Sequence, residues 1–557
     1  MRSAVAGIGR ALLVSIVVAL SAVPLAAQVE AAREAMRNGD YPLAVTILAA
    51  SKDQNSSADT YLYLGISYAN LRDLTNAEET LREGMQKFPA DARFHHELAG
   101  IDLSKRNVQA ARQELKEALR IDPNDLYASD LIANIDLDQG QEAEAFRFWR
   151  ARGAPVVAKV LNNGHPLDLS HWVVGRELAF QPGGVLSYRQ WRTTERRLQE
   201  SGIFSSIKLE VQPTPTPARY NANIVTSFRR NTEWSREGVS KEIVLWAVTH
   251  FLRLDLWNIR DSGVSIRSAY RPSRYRNWAE LTLRSPLPIP GGLTVETTGL
   301  WRSEKWNVSN VARSPSPDFR YSLTDWRFTL KTIPDYRFEA AAGFELIHRR
   351  KHEHFPDPLA FWKNSGKFVV ETGIRLADGN FKNRIQANAF VARKSIMGGA
   401  KYSGATLMVK NRIALGKSRN KVLDWTAKGG TTRGLLPVDE YFVLGADVRS
   451  ENLLRGHSSF NRQGHHYGNS PMGTDFLLSN LSVEYRNPIR RQFALSPEAF
   501  LDIGKTFDRA RIFRQDQLFV DAGFGLKYES QVNTVHFIFG HSLNDRNYFL
   551  GIVVETW

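Results

Sequence analysis

Residues 232–557 form a succession of short segments in which apolar and polar side chains alternate, and this period of two limits the fold more than any other feature. Over 476–486, Leu477, Leu481, Val483 and Tyr485 share one face, broken only by Ser479. Leu478, Asn480, Ser482, Glu484 and Arg486 make the other. Over 499–504, Ala499, Leu501 and Ile503 are expected to face lipid and Phe500, Asp502 and Gly504 to face inward. An apolar outer band around a polar lumen is what a spanning strand must supply, because lipid solvates neither backbone nor charge. At roughly 20 residues per strand and turn, the segment predicts a transmembrane antiparallel β-barrel of about 16 strands. A soluble β-sandwich would alternate likewise.

The two ends of the chain bear on that choice. Residues 1–27 read as a secretory signal peptide: Arg2 and Arg10 are the basic end, 11–23 the apolar run, and Pro24-Leu25-Ala26-Ala27 the cleavage region. The alternative is a membrane anchor, for which the run is short, since a spanning helix needs about 20 apolar residues. At the other end, Phe549, Gly551, Val553 and Trp557 share one face of a last strand, and bacterial barrels commonly finish on an aromatic residue. The opposite face (Leu550, Ile552, Val554) is also apolar, so this strand does not alternate cleanly.

The chain has no cysteine, which excludes disulfides, thiol chemistry and a lipidated N-terminal cysteine. After residue 27 no apolar run reaches the length of a spanning helix. The net charge is +15. Residues 28–150 hold roughly seven more acidic than basic side chains, so the positive excess lies downstream. There it is scattered among Trp, Tyr and Phe rather than clustered, a pattern suited to anionic lipid head groups or lipopolysaccharide more than to nucleic acid.

Residues 28–152 repeat. Tyr61, Leu64, Gly65, Tyr68, Ala77, Leu81, Gly84 and Pro89 align with His95, Leu98, Ala99, Asp102, Ala111, Leu115, Ala118 and Pro123, each pair 34 residues apart. A third copy continues through Ser129, Ile132, Ala133, Asp136, Ala145 and Trp149, and Asn38-Gly39-Asp40-Tyr41 with Ala44 ends an earlier one. The pattern resembles the tetratricopeptide repeat, an all-α solenoid whose helix pairs bury their apolar faces only by stacking. The stack leaves a groove for extended or helical segments of partner proteins, possible periplasmic accessory proteins here. A rigid spacer is the alternative.

Residues 155–230 change pattern. A strand-like run over 156–161 ends at Asn162-Asn163-Gly164. A helix is expected over 167–180, capped by Asp168 or Ser170, and a second after Ser187 carrying Trp191 and Leu198 and ending at Gly202. Strands follow at 207–211 and 220–228, an α+β order of β-α-α-β-β. Leu198-Gln199-Glu200-Ser201-Gly202-Ile203-Phe204-Ser205-Ser206-Ile207 resembles the POTRA signature "L-x-x-[ST]-G-x-F-x-x-V", with Leu198, Gly202 and Phe204 at its marked positions. That resemblance implies client binding by strand addition at a sheet edge. A plain α+β linker domain is the alternative.

Two motifs in the C-terminal half point further. Leu454-Arg455-Gly456-His457 follows Leu444-Gly445-Ala446-Asp447, and Phe500-Leu501-Asp502-Ile503-Gly504 comes some way downstream. Together they resemble the BamA/TamA superfamily of outer-membrane assembly and translocation proteins. There a loop bearing "[VL]-R-G-[FY]" folds into the lumen and meets an inner-wall strand bearing "F-x-D-x-G". The resemblance implies that Arg455 meets Asp502 and that glycine at 456 and 504 allows close approach. His457 departs from the usual aromatic, and the loop is lengthened at 449–452. Arg455 and Asp502 in separate polar patches is the alternative.

His348, His352 and His354 around Arg349-Arg350-Lys351 read as a solvated loop between strands rather than a metal site, and His465-His466 likewise. No phosphate-binding glycine loop, nucleophile elbow or triad is legible, so neither enzymatic chemistry nor a cofactor is expected. The resemblance implies a protein that inserts barrel proteins into the bacterial outer membrane, or passes unfolded or nascent polypeptides across it. A seam between first and last strands would open for them, and the N-terminal modules would lie in the periplasm. The alternative of another class is a polysaccharide-export porin with a tetratricopeptide scaffold. A pure scaffold for periplasmic partners is a third.

Overall fold

The computed structural model describes residues 25–52, 57–150, 155–167, 172–216 and 219–229, and from 252 to 556 the strands with part of their loops. The expected signal over 1–24, the caps Asp168 and Ser170, His354, the loop insertion at 449–452, His465-His466 and Trp557 lie outside the described residues.

Eight helices come first: α1 (Leu25–Arg37), α2 (Tyr41–Ser51), α3 (Ala58–Asn70), α4 (Leu74–Lys87), α5 (Arg93–Ser104), α6 (Val108–Ile121), α7 (Leu126–Asp138) and α8 (Glu142–Arg150). In α1, Ala26 and Ala27 are exposed, and Gln28 and Val29 are the first residues packed against neighbours. The sequence sets the turn inside each pair. A residue with left-handed backbone stands at Gly39, Arg72, Arg106 and Gly140, and in the first three pairs Asp40, Asp73 and Asn107 then cap the next helix through their side chains. Those caps accept one of the backbone N–H groups that a helix start leaves unpaired. Small residues at the crossings (Ala77, Ala99, Ala111, Ala118, Ala133) are fully buried, which brings the helix backbones together.

Next come β1 (Val156–Asn162), β2 (His165–Pro166), α9 (Trp172–Gly175), α10 (Tyr188–Ser201), β3 (Phe204–Pro213) and β4 (Arg219–Phe228), with sheet order β2-β1-β4-β3. The described first helix is one turn rather than the stretch expected over 167–180. Pro182-Gly183-Gly184 is used instead to return the chain to β1, where Val157 N–H bonds the Gly184 carbonyl at 3.0 Å. By contact density the chain divides into two units, residues 1–159 with 182–188 and 211–222, and residues 160–181, 189–210 and 223–557.

The C-terminal half is an antiparallel meander: β5 (Leu252–Leu256), β6 (Ser265–Arg271), β7 (Arg276–Pro286), β8 (Thr294–Asn307), β9 (Asp318–Asp335), β10 (Phe338–Lys351), β11 (Asn364–Asp378), β12 (Phe381–Ala392), β13 (Tyr402–Leu415), β14 (Lys421–Gly434), β17 (Asp475–Tyr485), β18 (Leu495–Phe507), β19 (Phe519–Glu529), β20 (Asn533–Ser542) and β21 (Tyr548–Thr556). The pairs β15 (Phe442–Val443) and β16 (Met472–Gly473) form a separate ladder in the long loop between β14 and β17. Fifteen strands are hydrogen-bonded in chain order, close to the expected 16, with β5 and β21 as the ends and no closure between them among the described residues. An antiparallel barrel closes only on an even number of strands.

The alternation is as expected. Along β18 every second residue is buried, from Ser496 through Glu498, Phe500, Asp502 and Gly504, while Leu495, Leu501, Ile503 and Phe507 are exposed. Trp326, Phe328, Leu330, Phe368, Leu477 and Phe524 extend the apolar outer face. No described helix is long and apolar enough to cross a membrane. In β21, Phe549 and Val553 turn inward onto Phe500 and Ile538, and Leu550 on the opposite face is 76% exposed. Phe549 and Val553 therefore lie on the inner face of the sheet.

Candidate functional site

The loop over 435–474 carries charged residues that the inner wall answers at two separate places. At the first, Arg455 lies against β18. Its Nη2 and Nε donate to the two oxygens of Asp502 at 2.6 and 2.8 Å, and its backbone N–H adds a third bond to Oδ2 at 3.0 Å. Ser482 on β17 accepts from both terminal nitrogens at 3.1 Å, and Asn480 donates to Asp502 at 2.8 Å. The guanidinium stacks 3.7 Å from the centroid of Phe500. Planar bidentate geometry suits arginine, and the N–H donors of Arg455 and Asn480 satisfy a carboxylate that is fully buried. The structure thus brings together Arg455, Phe500 and Asp502, all three chosen from sequence.

Gly456 and His457 use a second carboxylate, Asp521 on β19. The Gly456 N–H reaches its Oδ2 at 2.6 Å and His457 Nδ1 lies 3.0 Å from the same oxygen. A Cβ on Gly456 would stand 2.6 Å from the Asp521 carboxyl carbon and from the Ser542 nitrogen, so only glycine fits. The His457 ring is edge-on to Phe519 at 4.9 Å, which keeps an aromatic plane at a position where the motif's aromatic is absent. Gly504 lets Leu444 and Leu454 of the loop approach β18: a Cβ there would lie 3.0 Å from Leu444.

Asp521 was not singled out from the sequence, yet a signal was present. Phe519-Val520-Asp521-Ala522-Gly523 repeats the pattern of Phe500-Leu501-Asp502-Ile503-Gly504. In the antiparallel register Asp502 faces Asp521, Phe500 faces Gly523 and Gly504 faces Phe519. Each phenylalanine thus lies beside the other strand's glycine.

The second anchoring place uses opposite charges. Asp439 accepts from Arg349 Nε and Nη2, both at 2.7 Å, and Glu440 accepts from Lys367 at 2.9 Å and from Tyr402 at 3.2 Å. Lys367 also meets Glu345 at 2.5 Å. This corrects the reading of 348–354 as a loop. The described part through Lys351 belongs to β10, whose register with β9 runs on to Lys351–Tyr321 and turns Arg349 inward to 1% exposure. His348 and His352 bond Asn364 and Ser322 instead of converging, and no metal-binding cluster occurs among the described residues. The first anchor rests on β17, β18 and β19 and the second on β10, β11 and the start of β13, so the loop is held at two separate parts of the inner face.

The residues chosen at 198–204 are packed differently. Leu198 is fully buried, and Phe204 rests on Phe228 at 5.1 Å. Gly202 has φ +74° with Trp257 where a Cβ would be. Helix α10 meets the β9–β10 hairpin: Arg196 donates to Glu339 at 2.5 Å and to the Tyr336 carbonyl at 2.8 Å, Arg197 to the Ile333 carbonyl at 2.9 Å, and Thr193 accepts from Tyr336 N–H at 3.0 Å. Glu200 is largely buried, which opposes its ionisation, but Lys331, Arg375, Arg196 and Arg284 outweigh that and hold it near about 2. Burial pushes Glu177 up to about 7 against the pull of Arg197 and Arg284.

Fold and site together define an antiparallel barrel-type sheet whose inner face is bridged by an anchored loop, preceded in the sequence by a helical repeat region. A tetratricopeptide repeat model matches residues 68–135. No curated protein matches the chain. Among solved structures, CdiB from Escherichia coli is similar at 12% identity over 72% of this chain and 75% of that one, with a TM-score of 0.51. CdiB from Acinetobacter baumannii (10%, 85% and 86%, TM-score 0.49) and BamA from Haemophilus ducreyi lacking POTRA domains 1–3 (13%, 72% and 83%, TM-score 0.42) are also similar. At such identities the likeness is one of fold.

Proposed function

We propose that this chain is a bacterial outer-membrane protein that inserts barrel proteins into that membrane or translocates polypeptides across it. The observation that carries the reading is the loop anchored by Arg455 on Asp502, the pairing that the BamA/TamA resemblance implies. In this reading residues 28–152 and the POTRA-like segment 155–230 are periplasmic and capture unfolded clients, the latter by strand addition. The client's strand then pairs at the sheet ends, β5 and β21. Backbone pairing tolerates many sequences and consumes no nucleotide. A polysaccharide exporter needs a wide, unobstructed lumen, which a loop bridging the inner face works against.

Depletion followed by outer-membrane proteomics is the test. Loss of a set of barrel or surface proteins is expected, reproduced by Arg455→Ala expressed at wild-type level. Loss of a surface sugar with the protein complement intact would overturn the proposal in favour of the exporter.

A further inference from the structure

The outer face carries many large apolar residues, and on the part spanning β11 to β14 smaller ones largely replace them. Across β11, β12, β13 and β14 one outward rung reads Val370, Ala389, Ala405, Thr431, and the next reads Thr372, Ala387, Leu407, Gly429. Apart from Val370 and Leu407 these side chains are short, and they line a hollow of about 1210 Å³, bounded on the β17–β18 side by Leu477, Ile503 and Phe507. Towards the strand ends stand exposed cations: Arg433 pairs in register with Ser403, Lys401 precedes β13, and Arg393 and Lys394 follow β12. None of these four is in an ion pair among the described residues, whereas Arg509 at the same edge is paired with Asp475. Neighbouring strands lie about 4.8 Å apart, so the cations crowd one short arc. They sit at the strand ends remote from the β9–β10 hairpin that α10 contacts.

We propose that the hollow and its cationic rim bind one phosphorylated glycolipid of the outer leaflet, acyl chain along the alanine rungs and phosphates on Arg393, Lys401 and Arg433. This rests on the outer-membrane reading above. Two features select the occupant. A protein partner would not need phosphate-binding charge directly over a lipid-depth apolar trough, and a zwitterionic lipid gains little from an excess of cations. The short side chains leave room along the rungs for a hydrocarbon chain, and Leu477, Ile503 and Phe507 flank it on one side.

The test uses the full chain purified in detergent and exchanged against diphosphoryl lipid A, dephosphorylated lipid A or phosphatidylglycerol, with retained lipid read by native mass spectrometry. Diphosphoryl lipid A is expected to be retained preferentially, by about tenfold or more over the dephosphorylated form, given the attraction of each basic residue for anionic lipid. The triple variant Arg393→Glu, Lys401→Glu, Arg433→Glu should lose that preference. Ala389→Trp with Ala405→Trp should lose retention with the rim intact. Heat-modifiable migration on gels identifies the variants that keep a folded barrel, and Arg433→Glu alone serves if the triple does not fold. Equal retention by folded variants and wild type, or equal retention of phosphatidylglycerol, overturns the site. A density gradient of cell envelopes separates the two levels: a chain absent from the outer-membrane fraction overturns the location, and one present there without lipid preference overturns the site alone.

Discussion

Asp502 and Asp521 stand directly opposite each other on β18 and β19, both fully buried, and three consecutive loop residues answer them. Arg455 brings a full charge to the first. Gly456 and His457 bring a backbone N–H and a ring nitrogen to the second. Two neighbouring carboxylates without these donors would repel across the ladder, so loop and wall stabilise each other.

Asp502→Asn should destabilise the folded barrel by about 3–5 kcal/mol, since it leaves the Arg455 charge buried without its partner. The heat-modification midpoint in detergent measures it. Arg455→Lys should not restore stability to Arg455→Ala, because a single ammonium cannot span both Asp502 oxygens and Ser482 as the guanidinium does. Full rescue by lysine would sink the bidentate account.

At the other anchor, Arg349→Ala combined with Asp439→Ala should cost less than the sum of the two single changes, by about 1–3 kcal/mol of coupling. Both singles should also raise ion conductance in planar bilayers, as the loop loses one of its two attachments. Unchanged conductance in both would show that this end of the loop does not obstruct the pore.

Two glutamates give the α10 region opposite pH responses. Glu177 ionises at about 7 in the folded protein against 4.5 as its ordinary value, so the native state holds the extra proton between these limits. Stability therefore falls as pH rises from 4.5 to about 7 and is level above. Glu177→Gln should remove that decline and add roughly 3 kcal/mol at pH 8. Glu200, held near about 2, contributes stability that is complete above 4.5 and is lost as pH falls towards 2. Thermal unfolding of Glu177→Gln and Glu200→Gln across pH 2–8 checks the signs.

In the repeats, Arg72 and Arg106 adopt left-handed backbone at φ 65° and 60°, where the first and last pairs have glycine. Replacing either by glycine should stabilise the repeat region by about 1 kcal/mol, the cost an L side chain bears in that conformation. Both lie outside the helices, so circular dichroism melting should show a higher midpoint with unchanged helix content.

The repeat and the alternating half were legible because their signals are local and periodic. Spacing of 34 residues places Ala77 and Ala111 at equivalent crossings, and period two places Asp502 inward whatever its partner. The Arg455–Asp502 pair was reached by resemblance alone, and the matching Asp521 pattern, although written in the sequence, gains meaning only when β18 and β19 are laid side by side. Arg349 was misread for the opposite reason. His348-Arg349-Arg350-Lys351 has the composition of a solvated turn, and nothing within it reveals that β9 continues far enough to pair with it.

By itself the chain determined which side of strands such as β17 and β18 is apolar and how the repeat helices are spaced, since both follow from local, periodic signals. Tertiary structure decided which charges meet. Asp439 and Arg349 are 90 residues apart and Arg455 and Asp502 are 47. A buried ion is stable only beside a counterion whose distance depends on strand register, and register is a property of the assembled sheet.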